Sequence, residues 1–186
     1  MNERKMSNAS PRRFLLDQCH GMVLQATVQR AKIYNPRANE NLRNQFRIGL
    51  RRILDEAAAH YRRRVDEAAH TRRIGRIAST LSGRHARALR GGRFRIGPAQ
   101  KALNLFLKYQ WSAGWIAEPP HCPFDAQIIK LLPASVSVPW TELDDLDAYR
   151  RLVTAARARA SGQSLARWEL AAYDRVSAAA QRGRPA

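Results

Sequence analysis

The chain has 186 residues, of which 33 are Lys or Arg and 15 are Asp or Glu, so its formal net charge at pH 7 is +18. A hydrophobic content of 45% is enough to bury a core, and the two cysteines exclude both a disulfide scaffold and a four-cysteine zinc site. No apolar run is long enough to cross a membrane, and the first residues lack the apolar stretch of a secretory signal. These features predict a cytoplasmic protein that does not associate with membranes and that attracts polyanions.

The predicted fold is all-α, a single domain of five or six helices over residues 12–178. Residues 1–11 and 179–186 are predicted to be disordered basic tails. The excess of basic residues belongs to the first half of the domain, up to about residue 97. This asymmetry predicts one half that faces an anion and a more neutral half that packs.

The first two helices are predicted over 12–34 and 40–70. The first ends before Pro36, because the residue that precedes a proline avoids helical backbone. In the second, apolar residues recur every three or four positions, which is typical of an amphipathic helix. Its start can be capped by Asn39 or Asn41.

A loop is predicted over residues 79–97, where arginines and glycines alternate without an acidic residue. A connection of this length is usually functional or disordered. Arginine supplies planar, forked donors that match phosphate, and glycine lets the main chain approach a ligand closely. Together with three arginines of the preceding helix, the loop predicts a phosphate-binding surface, whose members are Arg43, Arg47, Arg51, Arg84, Arg87, Arg90, Arg93 and Arg95.

The helix over 98–113 is predicted to be the centre of the domain, since it is apolar on most sides and ends at Gly114. Beyond a proline-rich turn, we expect a short helix over 124–132, a short strand at 136–138, and helices over 142–160 and from Ser164 to about residue 180. The N-terminal caps expected for these three helices are Asp125, Thr141 and Ser164.

The central helix carries a stripe of four polar or amphipathic residues on one face, at offsets of 0, 3, 7 and 10: Lys101, Asn104, Lys108 and Trp111. Two ammonium groups and an amide suit phosphate oxygens, and an indole can stack on a base. The stripe can equally be the solvent-facing side that every amphipathic helix has.

The cysteine and histidine pairs do not predict a metal site. Cys19 adjoins His20 and His121 adjoins Cys122, whereas zinc ligands that lie close in sequence are usually two to four residues apart. The chain also lacks a phosphate-binding P-loop and a dinucleotide fingerprint, so no cofactor is predicted.

The leading hypothesis is a nucleic-acid-binding protein, of RNA or DNA, that contacts the phosphate backbone through the arginine-rich half and the Arg/Gly loop. One alternative is a helical nuclease, such as a ribonuclease, that uses His70, His85 or His121. The other alternative is a basic subunit that docks on an acidic protein or an RNA scaffold within a larger complex. Cleavage of labelled RNA would distinguish the nuclease from the two binding proteins.

Overall fold

The computed structural model describes the backbone of residues 10–182 and the side chains as far as residue 175. This part of the chain forms seven α-helices and no β-strand, which confirms the all-α fold. Within the same residues, no helix combines the length and the apolarity that crossing a membrane requires. The two predicted tails lie mostly outside the described residues, although the first helix already begins at Pro11 and the last continues to Arg182.

The helices are α1 (Pro11–Val23), α2 (Glu40–Ala58), α3 (Glu67–His85), α4 (Ile96–Ser112), α5 (Ala126–Ile129), α6 (Leu146–Ala160) and α7 (Leu165–Arg182). A π-helical turn, Leu24–Gln29, continues α1. Three of the predicted caps are confirmed. The side chain of Asn39 accepts a hydrogen bond from the Leu42 amide, and Asp125 and Ser164 make equivalent bonds at α5 and α7.

Helix α4 is the centre of the core, as its composition predicts. It packs against α1, α2, α3 and α6, and Leu103, Phe106 and Leu107 are fully buried. Its first turn lies so close to the segment before α6 that a Cβ atom on Gly97 would come 1.6 Å from the Trp140 carbonyl oxygen. Only glycine fits this contact, which fixes one half of the molecule against the other.

The prediction of a single helix over 40–70 is wrong, because the α-helix is interrupted between α2 and α3. A 3-10 turn, Ala59–Arg62, leads into extended backbone at Arg63, and the side chain of Asp66 then accepts a hydrogen bond from the Ala69 amide. The side chain of Tyr61 turns into the core at the break, where its hydroxyl lies 2.6 Å from His70 Nδ1. The N-terminal cap and this buried contact stabilise two helices where the sequence predicts one.

The loop predicted over 79–97 is largely helical. Helix α3 extends to His85, and two 3-10 turns, Ala86–Ala88 and Arg90–Gly92, complete the connection to α4. Leu89 and Phe94 are buried and hold the connection against the core, where Phe94 makes an edge contact with Phe46. The arginines of this segment are therefore presented from an ordered backbone.

Three smaller boundaries also differ from the prediction. The strand predicted at 136–138 does not form: a 3-10 turn, Ala134–Val136, ends at its first residue, and residues 137–139 have no regular secondary structure. Helix α6 begins four residues later than expected, because Asp145 rather than Thr141 accepts the capping hydrogen bond from the Ala148 amide. The chain leaves the first helix before residue 34 and is extended around Tyr34.

Candidate functional site

A cleft of about 470 Å³ brings together basic side chains from separate segments of the chain. One wall is formed by the π-helical turn and the residues that follow it, the second by α2, and the third by the 3-10 turn at Arg90. We call this site the basic cleft and define it by its polar and aromatic lining: Gln29, Lys32, Tyr34, Glu40, Arg43, Arg47 and Arg90.

The cleft exists because two segments that are distant in sequence pair across it. Tyr34 forms an isolated antiparallel bridge with Leu89, and the Arg90 amide donates a hydrogen bond of 2.7 Å to the Ile33 carbonyl. Side chains alternate along extended backbone. Ile33 is therefore buried, whereas Tyr34 faces the cleft beside Arg90. Lys32, in the turn just before this extended segment, also lines the cleft.

Helix α2 supplies its side of the cleft through Glu40, Arg43 and Arg47, whose offsets of 0, 3 and 7 place them on one face. Arg47 donates a hydrogen bond to the Glu40 carboxylate. This bond lowers the pKa of Glu40 and raises that of Arg47, so the pair is fully charged at neutral pH. The guanidinium carbon of Arg43 lies 5.4 Å from the ring centroid of Tyr34, and the two groups form a cation–π pair.

Three cations of the cleft have no acidic partner among the residues whose side chains the structure describes. Lys32, Arg43 and Arg90 make no ion pair there, whereas Arg47 is occupied by Glu40. Unneutralised cations that line a concave surface concentrate positive potential within it. The electrostatics of the cleft therefore favour an anionic ligand.

The positive surface continues from the cleft along the start of α4. A second, smaller cavity shares Lys32 and Arg90 with the cleft and adds Arg93 and Arg95. Asp144 lies 3.0 Å from Arg93 and 4.0 Å from Arg95, so one carboxylate offsets part of this charge. Five of the eight predicted arginines, two from α2 and three from the connection, thus lie on or beside one basic surface: Arg43, Arg47, Arg90, Arg93 and Arg95.

The other three predicted arginines do not line this surface. Arg51 pairs with Asp17 and lines a neighbouring groove between α1 and α2, which shares Leu24 and Arg47 with the basic cleft. Arg84 and Arg87 are exposed at the end of α3 and in the turn that follows. They add to the positive field of this half of the molecule without contributing to the cleft.

The polar stripe on α4 faces the interior, which is a correction to the proposed contact surface. Lys101 is buried with its ammonium nitrogen 4.2 Å from the Trp140 ring centroid and 3.7 Å from Asp125. Asn104 is also buried and donates a hydrogen bond to the Tyr149 hydroxyl. Because both side chains have partners within the core, neither reaches an external phosphate.

The remaining members of the stripe are also engaged by the protein. Lys108 makes an ion pair of 2.7 Å with Glu169, a carboxylate whose pKa burial raises against the opposing effect of Lys108. Trp111 is half-buried, and the Arg167 guanidinium carbon lies 5.9 Å from its ring centroid. The stripe joins α4 to α7 and to the segment before α6.

The histidines of the nuclease alternative are differently placed. His70 and His121 are buried with their ring centroids 4.6 Å apart, whereas His85 is half-buried against Phe46. Burial lowers the pKa of His70 well below its ordinary value and that of His121 to about 3. Neither buried ring is in contact with solvent, so neither can take a proton from a bound substrate in this conformation.

No cluster of three or more His, Cys, Asp or Glu side chains suited to a metal ion occurs within the part of the chain that the structure describes. Cys19 and Cys122 are both buried thiols, and burial raises the pKa of each. Such a thiol is protonated at neutral pH and a poor nucleophile.

Gln29, Lys32, Tyr34 and Glu40 are the members of the cleft that the sequence analysis missed. A signal exists for Tyr34 alone: in the order Ile33-Tyr34-Asn35-Pro36, β-favouring residues before Asn-Pro are typical of extended backbone rather than of a helix end.

No protein-family model, no curated protein and no solved structure matches this chain. The fold and the cleft define an all-α protein with a concave, cationic surface.

Proposed function

We propose that this protein binds nucleic acid and that the basic cleft is its phosphate-contacting surface. The proposal rests on one observation. Lys32, Arg43 and Arg90, which come from three separate segments, line one cavity and have no acidic partner among the described side chains. Lys and Arg neutralise phosphates and release their condensed counterions, which drives association with polynucleotides.

The net charge of +18 supports the same ligand class. Long polyanions gain affinity from every basic side chain within the screening length, and the exposed Arg84, Arg87, Arg93 and Arg95 extend the field beyond the cleft. Contacts to phosphate carry no sequence information, so we expect similar affinities for unrelated sequences of one nucleic-acid type.

Titration of labelled RNA and DNA oligonucleotides with the purified protein at several salt concentrations tests the proposal. The logarithm of the association constant should fall linearly with the logarithm of the salt concentration, and the oligonucleotide should stay intact. Absence of binding at low salt would overturn the proposal and favour the basic subunit that docks on an acidic protein. Cleavage of the oligonucleotide would favour the nuclease.

A substitution at Lys32 should separate a role in binding from a role in the fold. Its φ angle is +47°, and the left-handed conformation costs a residue with a side chain about 1–2 kcal/mol relative to helical backbone. Lys32→Gly is therefore expected to raise the free energy of unfolding by about 1 kcal/mol, measured by urea denaturation, and to weaken oligonucleotide binding several-fold.

Ser161→Gly is the matched control, because Ser161 has a φ angle of +49° and ends α6 away from the cleft. This variant should gain similar stability and bind as the parent does. If Lys32→Gly binds with parental affinity, Lys32 does not contact the ligand.

A further inference from the structure

The lining of the basic cleft is apolar and aromatic as well as cationic. Leu24, Val28 and Pro36 contribute apolar surface, and the Tyr34 ring lies beside the guanidinium of Arg43. The phosphate backbone of a duplex bound across a surface presents no group that fills an apolar recess. An unpaired nucleotide does so, because it combines a flat base with an anionic phosphate.

The basic side chains of the cleft differ in how far they are exposed to solvent. Lys32 and Arg90 are exposed at the rim, whereas Arg43 is half-buried against the Tyr34 ring. Exposed cations suit a phosphate that stays partly hydrated. A guanidinium plane and an aromatic ring suit a stacked base, since both groups present a flat face.

We propose that the basic cleft accepts one unstacked nucleotide of a single-stranded nucleic acid, with its base against Tyr34 and Arg43 and its phosphate at Lys32 and Arg90. This inference rests on the proposed function and adds the ligand form to it. The volume of about 470 Å³ lies within the range of pockets that enclose small organic ligands, and a nucleotide is of that size.

Glu40 restricts the orientation of the nucleotide. Its carboxylate lies on the α2 wall and repels a phosphate, even though Arg47 neutralises it in part. A base edge that carries an amino group meets no such repulsion, because a carboxylate accepts hydrogen bonds from it. The phosphate is therefore expected at the Lys32 and Arg90 side of the cleft.

Oligonucleotides with and without bases test the inference. The probes are a single-stranded 12-mer, the same backbone with every base replaced by an abasic analogue, and the 12-base-pair duplex. The single strand should bind at least about tenfold more tightly than the abasic strand, because stacking of one base on an aromatic side chain contributes an effect of this order. A nucleoside monophosphate should also compete better than ribose 5-phosphate.

Two substitutions at Tyr34 test whether its aromatic ring causes the preference for strands that carry bases. Tyr34→Phe keeps the aromatic ring and should therefore keep the preference for the normal strand over the abasic strand. Tyr34→Leu keeps an apolar side chain but removes the ring, and it should bind the normal and abasic strands equally. Circular dichroism establishes that both variants are folded. If Tyr34→Leu is not folded, quenching of a 2-aminopurine-containing strand by the parent protein replaces it as the measurement.

The outcomes distinguish the inference from the proposed function. Equal, salt-dependent affinity of the parent for normal and abasic strands would overturn the inference and leave the proposed function intact. Unchanged 2-aminopurine fluorescence on binding would likewise overturn the inference and leave the proposed function intact. If none of the three probes binds at low salt, the proposed function and the inference both fail.

Discussion

Replacing Lys32, Arg43 and Arg90 together by glutamine is expected to lower the affinity for nucleic acid by about a thousandfold at about 0.1 M salt. A hydrogen bond to a charged group contributes at least about 1.5 kcal/mol, which corresponds to a little more than tenfold per contact. These three side chains line the cleft and make no ion pair among the described side chains, so their charge is available to a ligand, with Glu40 offsetting part of the charge of Arg43.

The salt dependence should change with the affinity. Loss of the two proposed phosphate contacts, at Lys32 and Arg90, is expected to reduce the slope of log K against log salt by about 2 on duplex DNA and by about 1.4 on a single strand. The measurement is fluorescence anisotropy of a labelled oligonucleotide at four or more salt concentrations. Lys32 and Arg90 are exposed and should contribute little to stability. Arg43 is half-buried against the Tyr34 ring, so circular dichroism of the triple variant establishes that it is folded before binding is measured.

The matched control removes the same charge elsewhere. Arg62, Arg72 and Arg151 are exposed and do not line the cleft. Their joint replacement by glutamine should reduce affinity only modestly, through the overall field. Equal losses in both triple variants would show that net charge alone determines binding and that the cleft is not a site.

The helix boundaries that the sequence predicts best are those with short-range causes. Asn39, Asp125 and Ser164 each accept a hydrogen bond from a main-chain amide two or three residues later, so the stabilising contact is visible in the sequence. Gly114 ends α4 with a φ angle of +71°, which is a conformation that glycine adopts readily.

The interruption between α2 and α3 is not predicted from the sequence, because apolar residues continue at helical spacing across it. Tyr61 and Val65 stay buried or half-buried although the backbone between them is not helical. No glycine or proline marks the break. The available signal is Asp66 followed by Glu67, which is an N-terminal cap followed by an acid in the first turn.

The polar stripe of α4 shows why burial is harder to predict than helix formation. A sequence places Lys101 and Asn104 on one face but does not show what that face meets. Their partners, Trp140, Asp125 and Tyr149, come from three later segments of the chain. These partners bury a face of α4 that was expected to be exposed to solvent, and they supply its polar contacts.

The sequence predicts some of the basic side chains of the cleft but not that they converge on one cavity. The arginines on α2 and in the connection are evident as an unneutralised excess, but their convergence depends on the pairing of Tyr34 with Leu89. That pairing is a long-range contact with little local signal, and Lys32 enters the cleft through it.

The buried histidine pair is expected to make the protein sensitive to acid. The Tyr149 hydroxyl accepts a hydrogen bond from Asn104 and lies 2.7 Å from His121 Nδ1. We assign its proton to the bond with Nδ1, which requires that nitrogen to be unprotonated. The proton of the neutral ring is then on Nε2, 3.4 Å from the Glu67 carboxylate. Burial, with a smaller contribution from Arg157, lowers the pKa of His121 to about 3.

Since the folded pKa of each histidine is depressed, only the unfolded chain binds protons at these positions as the pH falls through about 6.5. The stability is fully present above that pH and is lost below it. Well below that pH, a histidine that stays neutral in the folded state reduces the free energy of unfolding by about 1.4 kcal/mol per pH unit. His121 should therefore cost about 2 kcal/mol between pH 7 and 5, and His70 adds a loss of the same sign.

Urea denaturation at pH 7, 6 and 5 measures this loss. His121→Asn should be less stable than the parent at pH 7, because it disrupts the contact with Tyr149, but its stability should fall about half as steeply with pH. His60→Asn is the control, since His60 is exposed, and it should retain the parental slope. A free energy of unfolding that is constant from pH 7 to 5 would contradict the prediction, because it would mean that both rings accept protons without leaving the core.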